Sequence, residues 1–127
     1  MPELRTGIDL CGIARMEALC GKAHFLERVF TADERAYAES RGVMRAASFA
    51  GMWAAKEALL KALGTGIAFP MTDVEVVHDG AGAPGYRLRG GAAARCEGAA
   101  LSLSITHEGD MAAAVCVLLR CPGPKEE

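Results

Sequence analysis

The chain has 127 residues, 51% of them hydrophobic, and a formal net charge of −2. That is the size of one domain with its own core; the near-neutral balance argues against a globally basic nucleic-acid binder, and no apolar run is long enough to span a bilayer. The five cysteines, Cys11, Cys20, Cys96, Cys116 and Cys121, are odd in number and lack CxxC spacing, so they indicate neither a disulfide framework nor a zinc site.

The opening MPELRTGIDL has no charged-then-apolar leader pattern, and the expectation is a soluble cytoplasmic protein with no membrane partner. Ile8 and Leu10 alternate with Asp9, which predicts a short strand with Asp9 on its less apolar side. A helix is expected from about Ala14, on a stripe of Ile13, Met16, Leu19, Cys20, Ala23 and Leu26, with Gly21 as its weak point. Arg15 and Lys22 are seven apart and share a face of that helix; Arg28 joins them only if Gly21 breaks it. TADE places Glu34 three residues after Thr31, the pattern of a capping box, and opens a helix that ends near Gly42.

The next helix begins at Ser48 as N-cap and stops at Gly64-Thr65-Gly66, with Pro70 closing the exit. DVEVVH predicts a strand, HDGAGAPG a hairpin turn, and YRLRG a second strand. LSLSITH alternates strictly, with Leu101, Leu103 and Ile105 on one face and Ser102, Ser104 and Thr106 on the other. HEGD is a tight turn and MAAAVCVLL a buried return strand. The fold class is α+β, one domain over 1–120 with a polar tail over 121–127.

Lys56 is out of place. On a helical wheel it falls in the middle of the stripe made by Phe49, Met52, Trp53, Leu59, Leu60 and Leu63. Its stem could snorkel, or its ammonium could meet a phosphate or an acidic group at a subunit interface. Asp9 and Glu57 are candidate ligands for a hard cation such as Mg²⁺, which often takes one or two protein carboxylates with waters and phosphates. The plain alternatives are a solvated strand-end Asp9 and a surface i,i+4 pair of Glu57 with Lys61. Gly64, Thr65 and Gly66 offer backbone that a ligand can approach closely. His107 ends a polar strand face beside Thr106, either solvated or part of a wall for a phosphate or base.

In order and spacing, GIDLCGIAR at 7–15, FTADERAY at 30–37, FAGMWAAKEALLKALGTGI at 49–67, DVEV at 73–76 and LSLSITHEGDMAAA at 101–114 resemble the bacterial holo-acyl-carrier-protein synthases. The length is similar to the short type of this 4′-phosphopantetheinyl transferase family. The resemblance implies helices packed on a small antiparallel sheet, and a homotrimer with active sites between subunits. The implied reaction moves 4′-phosphopantetheine from coenzyme A to a serine of apo-acyl carrier protein, releases adenosine 3′,5′-bisphosphate and supports fatty acid biosynthesis.

It further implies that Asp9 and Glu57 hold Mg²⁺, with Mn²⁺ an alternative, on the pyrophosphate. Lys61 lies near the phosphates and Lys56 is a second candidate. Glu57, or a water on the metal, takes the serine proton. Thr106 and His107 meet the adenosine and its 3′-phosphate, and Arg15, Lys22 and Arg28 meet the acidic carrier protein. Many relatives carry an arginine where this chain has Met52, so part of the contact with the 3′-phosphate is expected to be either missing or moved to Arg45 or another residue. Two rival readings use the same carboxylates: a Mg²⁺-dependent nucleotide pyrophosphatase, and a coenzyme A sensor without transfer.

Overall fold

A computed structural model describes residues 1–123; residues 124–127 of the expected tail lie outside the described residues. The elements are β1 (Glu3–Gly12), α1 (Ile13–Cys20), α2 (Ala23–Val29), α3 (Ala32–Glu39), α4 (Arg45–Leu63), β2 (Val74–His78), β3 (Pro84–Leu88), α5 (Gly90–Arg95), β4 (Ala99–Glu108) and β5 (Met111–Arg120). They form an antiparallel sheet of order β1-β5-β4 and a separate β2-β3 hairpin. The class is α+β, as expected.

The fold is built around α4. Phe49, Ala50, Ala54, Ala55, Ala58, Leu59 and Ala62 are all fully buried, so the helix is enclosed on most sides, as a core helix is. Its alanines let the sheet come close. A Cβ on Gly7 would lie 2.7 Å from the Ala62 amide and would overlap the Ala58 carbonyl, so β1 rests directly on the helix backbone. On β5, Ala112, Ala114, Cys116 and Leu118 face the same core. This close approach sets Asp9, two residues after Gly7 on β1, on the face turned toward α4.

The strand is longer than expected, and its less apolar side, which carries Asp9, is the inner one. Ile8 and Leu10 are 65% and 63% exposed, while Gly7 and Cys11 are buried and Asp9 is half-buried. The apolar residues of β1 therefore cover the outer face of the sheet, and Asp9 points inward. Val115 pairs with Ile8 and Val117 with Thr6 in the register of β1 and β5, so the outer face is apolar over more than one strand.

The first helix does break at Gly21. Lys22 has extended backbone (φ −106°, ψ 106°) and becomes the N-cap of α2 rather than a member of α1, which corrects its expected place on the first helix. The break lets Phe25 pack on Phe30 and Trp53, with ring centroids 6.3 and 6.0 Å apart. The turn after β4 starts α1: the Ile13 amide donates to the Asp110 carbonyl at 2.8 Å and the Ala14 amide to its carboxylate at 3.1 Å.

The capping box at Thr31 forms as expected. Its helix ends at Glu39, three residues early, and α4 begins at Arg45, which places Ser48 inside the helix rather than at its cap. The helix exit follows expectation. Gly64 has φ +70°, a left-handed conformation that glycine adopts without penalty, and the Thr65 amide bonds back to the Leu60 carbonyl. Sequence reading had no expectation for α5, whose Gly-Gly-Ala start has no apolar period.

Candidate active site

Lys56 finds its partners within the chain. It is 0% exposed, and its ammonium donates to Glu34 Oε1 (2.8 Å), to the Met71 carbonyl (3.0 Å) and to the Val74 carbonyl. Those three acceptors use all three of its protons. The expectation that Lys56 binds a phosphate is therefore corrected, and so is the expectation of an acidic partner across an interface. Burial pulls its pKa below the ordinary lysine range, and Glu34 opposes that pull.

Glu34 is the hub of this lock. Its Oε1 also accepts the Thr31 amide (2.9 Å) and its Oε2 accepts the Val76 amide (2.8 Å). Glu75 lies beside it, nearly buried, accepting from the Thr31 hydroxyl and from Arg87. The lock ties α3, α4 and β2 together.

One turn further along α4, the structure brings together Asp9, Glu57 and Lys61. Lys61 Nζ donates to Asp9 Oδ1 and to the Ile8 carbonyl, both at 3.1 Å. The Asp9 side chain is 15% exposed and that of Lys61 56%. So the solvated strand-end reading of Asp9 fails, and Lys61 pairs across to β1. Glu57 is half-buried. Its carboxyl is held above the ordinary range by burial first and the Asp9 charge second, while Lys61 pulls it down.

The two carboxylates therefore repel each other in a partly dry place, with one exposed ammonium between them and solvent. That donor set suits a small hard dication carrying waters or phosphate oxygens in its remaining positions. Among the described residues no cluster of three or more acidic, cysteine or histidine ligands exists, so any metal here keeps open positions for a substrate.

An acid whose pKa rises on folding binds its proton more tightly in the native state. Stability then falls as pH climbs through the ordinary carboxylate value toward the raised one. A dication relieves that penalty and competes with the proton. Mg²⁺ should therefore raise Tm by several degrees, and more at pH 8 than at pH 5, as read by calorimetry; no shift at saturating Mg²⁺ would contradict a site here.

The remaining expected residues divide. His107 lines a cavity of about 300 Å³ with Tyr37, Arg41, Ser48, His78 and Pro84. Thr106 does not line it, because strand alternation turns it to the outer face with Ile8, Ser104 and Val115. Thr65 puts its hydroxyl, buried and without a partner, into a separate cavity with Arg5, Arg95 and Arg120. Gly64 packs against Arg5, and Gly66 is open to solvent. Arg15, Lys22 and Arg28 are all exposed and make no ion pair among the described residues. Sequence reading missed Tyr37, Arg41 and His78; the one signal was a histidine ending a strand at the hairpin turn.

The family profile described as the 4′-phosphopantetheinyl transferase superfamily (ACPS) matches residues 5–116. A holo-[acyl-carrier-protein] synthase of Granulibacter bethesdensis is 45% identical, over 93% of this chain and 90% of its own. One from a Methylobacterium species is 43% identical, over 88% and 90%. The solved ACPS–CoA complex of Chronobacterium ammoniagenes superposes with a TM-score of 0.82 at 31% identity, covering 91% of this chain and 96% of that one. No helix among the described residues is long and apolar enough to cross a membrane. With a profile match over most of its length, relatives above 40% identity and a shared fold, the chain belongs to the 4′-phosphopantetheinyl transferase superfamily.

Proposed function

We propose that the protein is a holo-acyl-carrier-protein synthase that transfers 4′-phosphopantetheine from coenzyme A to a serine of apo-acyl carrier protein and serves fatty acid synthesis. The observation that carries this reading is the opposed pair Asp9 and Glu57 with Lys61 beside it. Coenzyme A presents a pyrophosphate, and these three groups match what a pyrophosphate with a dication needs. The serine oxygen attacks the phosphorus on the pantetheine side. A new P–O bond forms, the bond to the bridging oxygen breaks, and adenosine 3′,5′-bisphosphate leaves.

Charge accumulates on the phosphate oxygens during this exchange. Asp9 and Glu57 would hold a Mg²⁺, which when bound would supply neutralisation of that charge. Lys61, exposed enough to swing, adds a second cation. Among these residues Glu57 is the candidate to accept the serine proton.

The apolar outer face of the sheet supports assembly of several copies, with Leu4, Ile8, Leu10 and Leu119 exposed on it. A homotrimer is the state the family resemblance implies. In that assembly Thr106, which faces outward, becomes a residue of the junction between copies. Arg15, Lys22 and Arg28 form the surface for the acidic carrier. Reversing Arg15 and Arg28 to glutamate should raise KM for the carrier about tenfold and weaken the salt dependence of encounter, with KM for coenzyme A unchanged. Steady-state kinetics with each substrate varied in turn checks this.

The test of the reading is incubation with Mg²⁺, coenzyme A and an apo-carrier, followed by intact-mass measurement. The carrier should gain one phosphopantetheine arm. Breakdown of coenzyme A without a carrier would favour the pyrophosphatase instead, and binding without any product would favour a sensor.

A further inference from the structure

We infer that the cavity at the C-terminal end of α4, walled by Arg5, Arg95 and Arg120 beside Thr65, is a binding site for a small phosphate oxyanion, separate from the Asp9–Glu57–Lys61 centre. The inference does not depend on the transferase reading. The cavity is about 190 Å³ and lies between the start of β1, the end of β5, the end of α5 and the exit of α4. None of Asp9, Glu57 and Lys61 lines it. Its Glu3 stands six positions before Asp9 on β1, about 20 Å at the rise of an extended strand.

Three guanidiniums meet a single carboxylate there. Glu3 contacts Arg120 Nε at 3.4 Å and Arg5 Nη1 at 3.8 Å. Arg95 is exposed, and its side chain makes no ion pair or hydrogen bond among the described residues. The lining therefore carries an excess of positive charge. It also carries two polar atoms in need of partners. Thr65 Oγ1 and Arg120 Nε are both buried without a hydrogen bond; the Glu3 contact brings Arg120 a charge but not the alignment of a hydrogen bond. Leaving such groups unpaired is costly. A phosphate oxyanion answers both needs: it accepts from Nε and from the hydroxyl, and its charge offsets the surplus guanidinium.

Helix ends account for part of the cluster. Arg5 Nε donates to the Ala62 carbonyl in α4 at 2.7 Å, and Arg120 Nη2 to the Arg95 carbonyl at the end of α5 at 2.8 Å. Cations gather at helix C-termini for this reason. That role takes one donor from each of two arginines. It leaves the Arg95 guanidinium unused and Arg120 Nε unsatisfied. It also holds Arg5 still, with Nη2 so close to Gly64 that a Cβ there would come within 2.7 Å of it. Guanidiniums fixed in this way lose little freedom on meeting a ligand, and their forked N–H groups match phosphate oxygens. The volume limits the ligand's size. Pockets that enclose a drug-sized molecule run to about 300–1,000 Å³, so this smaller cavity suits inorganic phosphate or a small monoester rather than a nucleotide.

The experiment follows the Nε–Hε resonances of Arg5, Arg95 and Arg120 by NMR on the whole protein, while inorganic phosphate replaces chloride at constant ionic strength. These resonances should shift along a saturating curve. Arg95→Gln should weaken the affinity read at Arg120 about tenfold, the scale of one lost charge-assisted contact. Thr65→Val should weaken it in the same direction by a smaller factor. Lys61→Gln should leave it at the wild-type value. Arg95→Gln should also keep the wild-type Tm in chloride, which separates lost binding from lost folding. Glycerol 3-phosphate in a parallel titration distinguishes two sources of the same chemistry: equal or tighter binding identifies a small phosphate ester as the ligand, and weaker binding identifies free phosphate.

Shifts that grow without saturating would overturn the inference, because they report screening rather than a site. Wild-type affinity in Arg95→Gln would overturn it too. Loss of the shifts in Lys61→Gln would assign the phosphate to the Asp9–Glu57–Lys61 centre and remove the second site.

Discussion

Asp9→Asn and Glu57→Gln should each lower phosphopantetheine transfer by about a hundredfold to a thousandfold or more, because each removes one of the two carboxylates proposed to hold the cation that neutralises the reacting phosphates. Neither change should weaken the fold. The two carboxylates repel in the protein as it stands, and Glu57 already holds its proton more tightly than a free carboxylate does. Neutralising either one removes that repulsion, and the Lys61–Asp9 pair lost in Asp9→Asn is half-exposed on the lysine side, where ion pairs contribute little. Both variants should therefore match or exceed wild-type Tm in the absence of Mg²⁺, and both should lose most of the Mg²⁺-dependent rise. Initial rates and calorimetry on the same preparations read both effects. Near-wild-type turnover in either variant would remove that carboxylate from the reaction.

Lys56→Met should have the opposite profile, a large loss of stability with no loss specific to coenzyme A. It leaves the Glu34 carboxylate buried, still bonded to two amides but without its cation. It also strands the Met71 and Val74 carbonyls. Breaking one partner out of a buried pair costs about 3–5 kcal/mol, a large share of the total for a domain of this size. Glu34→Gln combined with Lys56→Met should recover part of that loss, since the uncompensated charge is then gone. Urea unfolding of the single and double variants measures this. A Lys56→Met protein of wild-type stability with weakened coenzyme A binding would restore the phosphate role that the structure denies it.

The contrast between Lys56 and Lys61 shows what one-dimensional reading can and cannot reach. Periodicity found Lys56 as an anomaly, because a charge in an apolar stripe is visible in a window of one helix. Its partner was out of reach. Glu34 lies 22 positions away and the two carbonyls 15 and 18 away, and nothing local links them. Glu34 was itself read correctly as a capping-box residue; that it caps a helix and neutralises a lysine at once follows only from packing. Lys61 was read by spacing alone as half of a surface pair with Glu57, and the fold instead hands it to Asp9, 52 positions earlier.

Asp9 is the instructive residue. Alternation announced a strand with Asp9 on its less apolar side and left open which side meets the core. The less apolar side turns inward here because this sheet has two apolar faces. Ile8 and Leu10 lie on the outer one; the inner one takes Gly7, because only glycine fits against the backbone of α4 there, and Asp9 follows it by alternation. An apolar outer face of this kind breaks the rule that apolar means inward. The same alternation separated Thr106 from His107: adjacent in sequence, they open on opposite faces. The capping box, the β2-β3 hairpin, β4, β5 and the glycine exit of α4 were legible, since each depends on local chemistry.

The most direct measurement is the stoichiometry of products in a single mixture of the protein, Mg²⁺, coenzyme A and apo-acyl carrier protein. Holo-carrier and adenosine 3′,5′-bisphosphate, each quantified as the reaction proceeds, should appear in equal amounts, and neither should form when the acceptor serine of the carrier is replaced by alanine. Nucleotide released in excess of holo-carrier, or released at the same rate with the serine absent, would mean that water rather than the carrier is the acceptor, and the transferase account would be wrong.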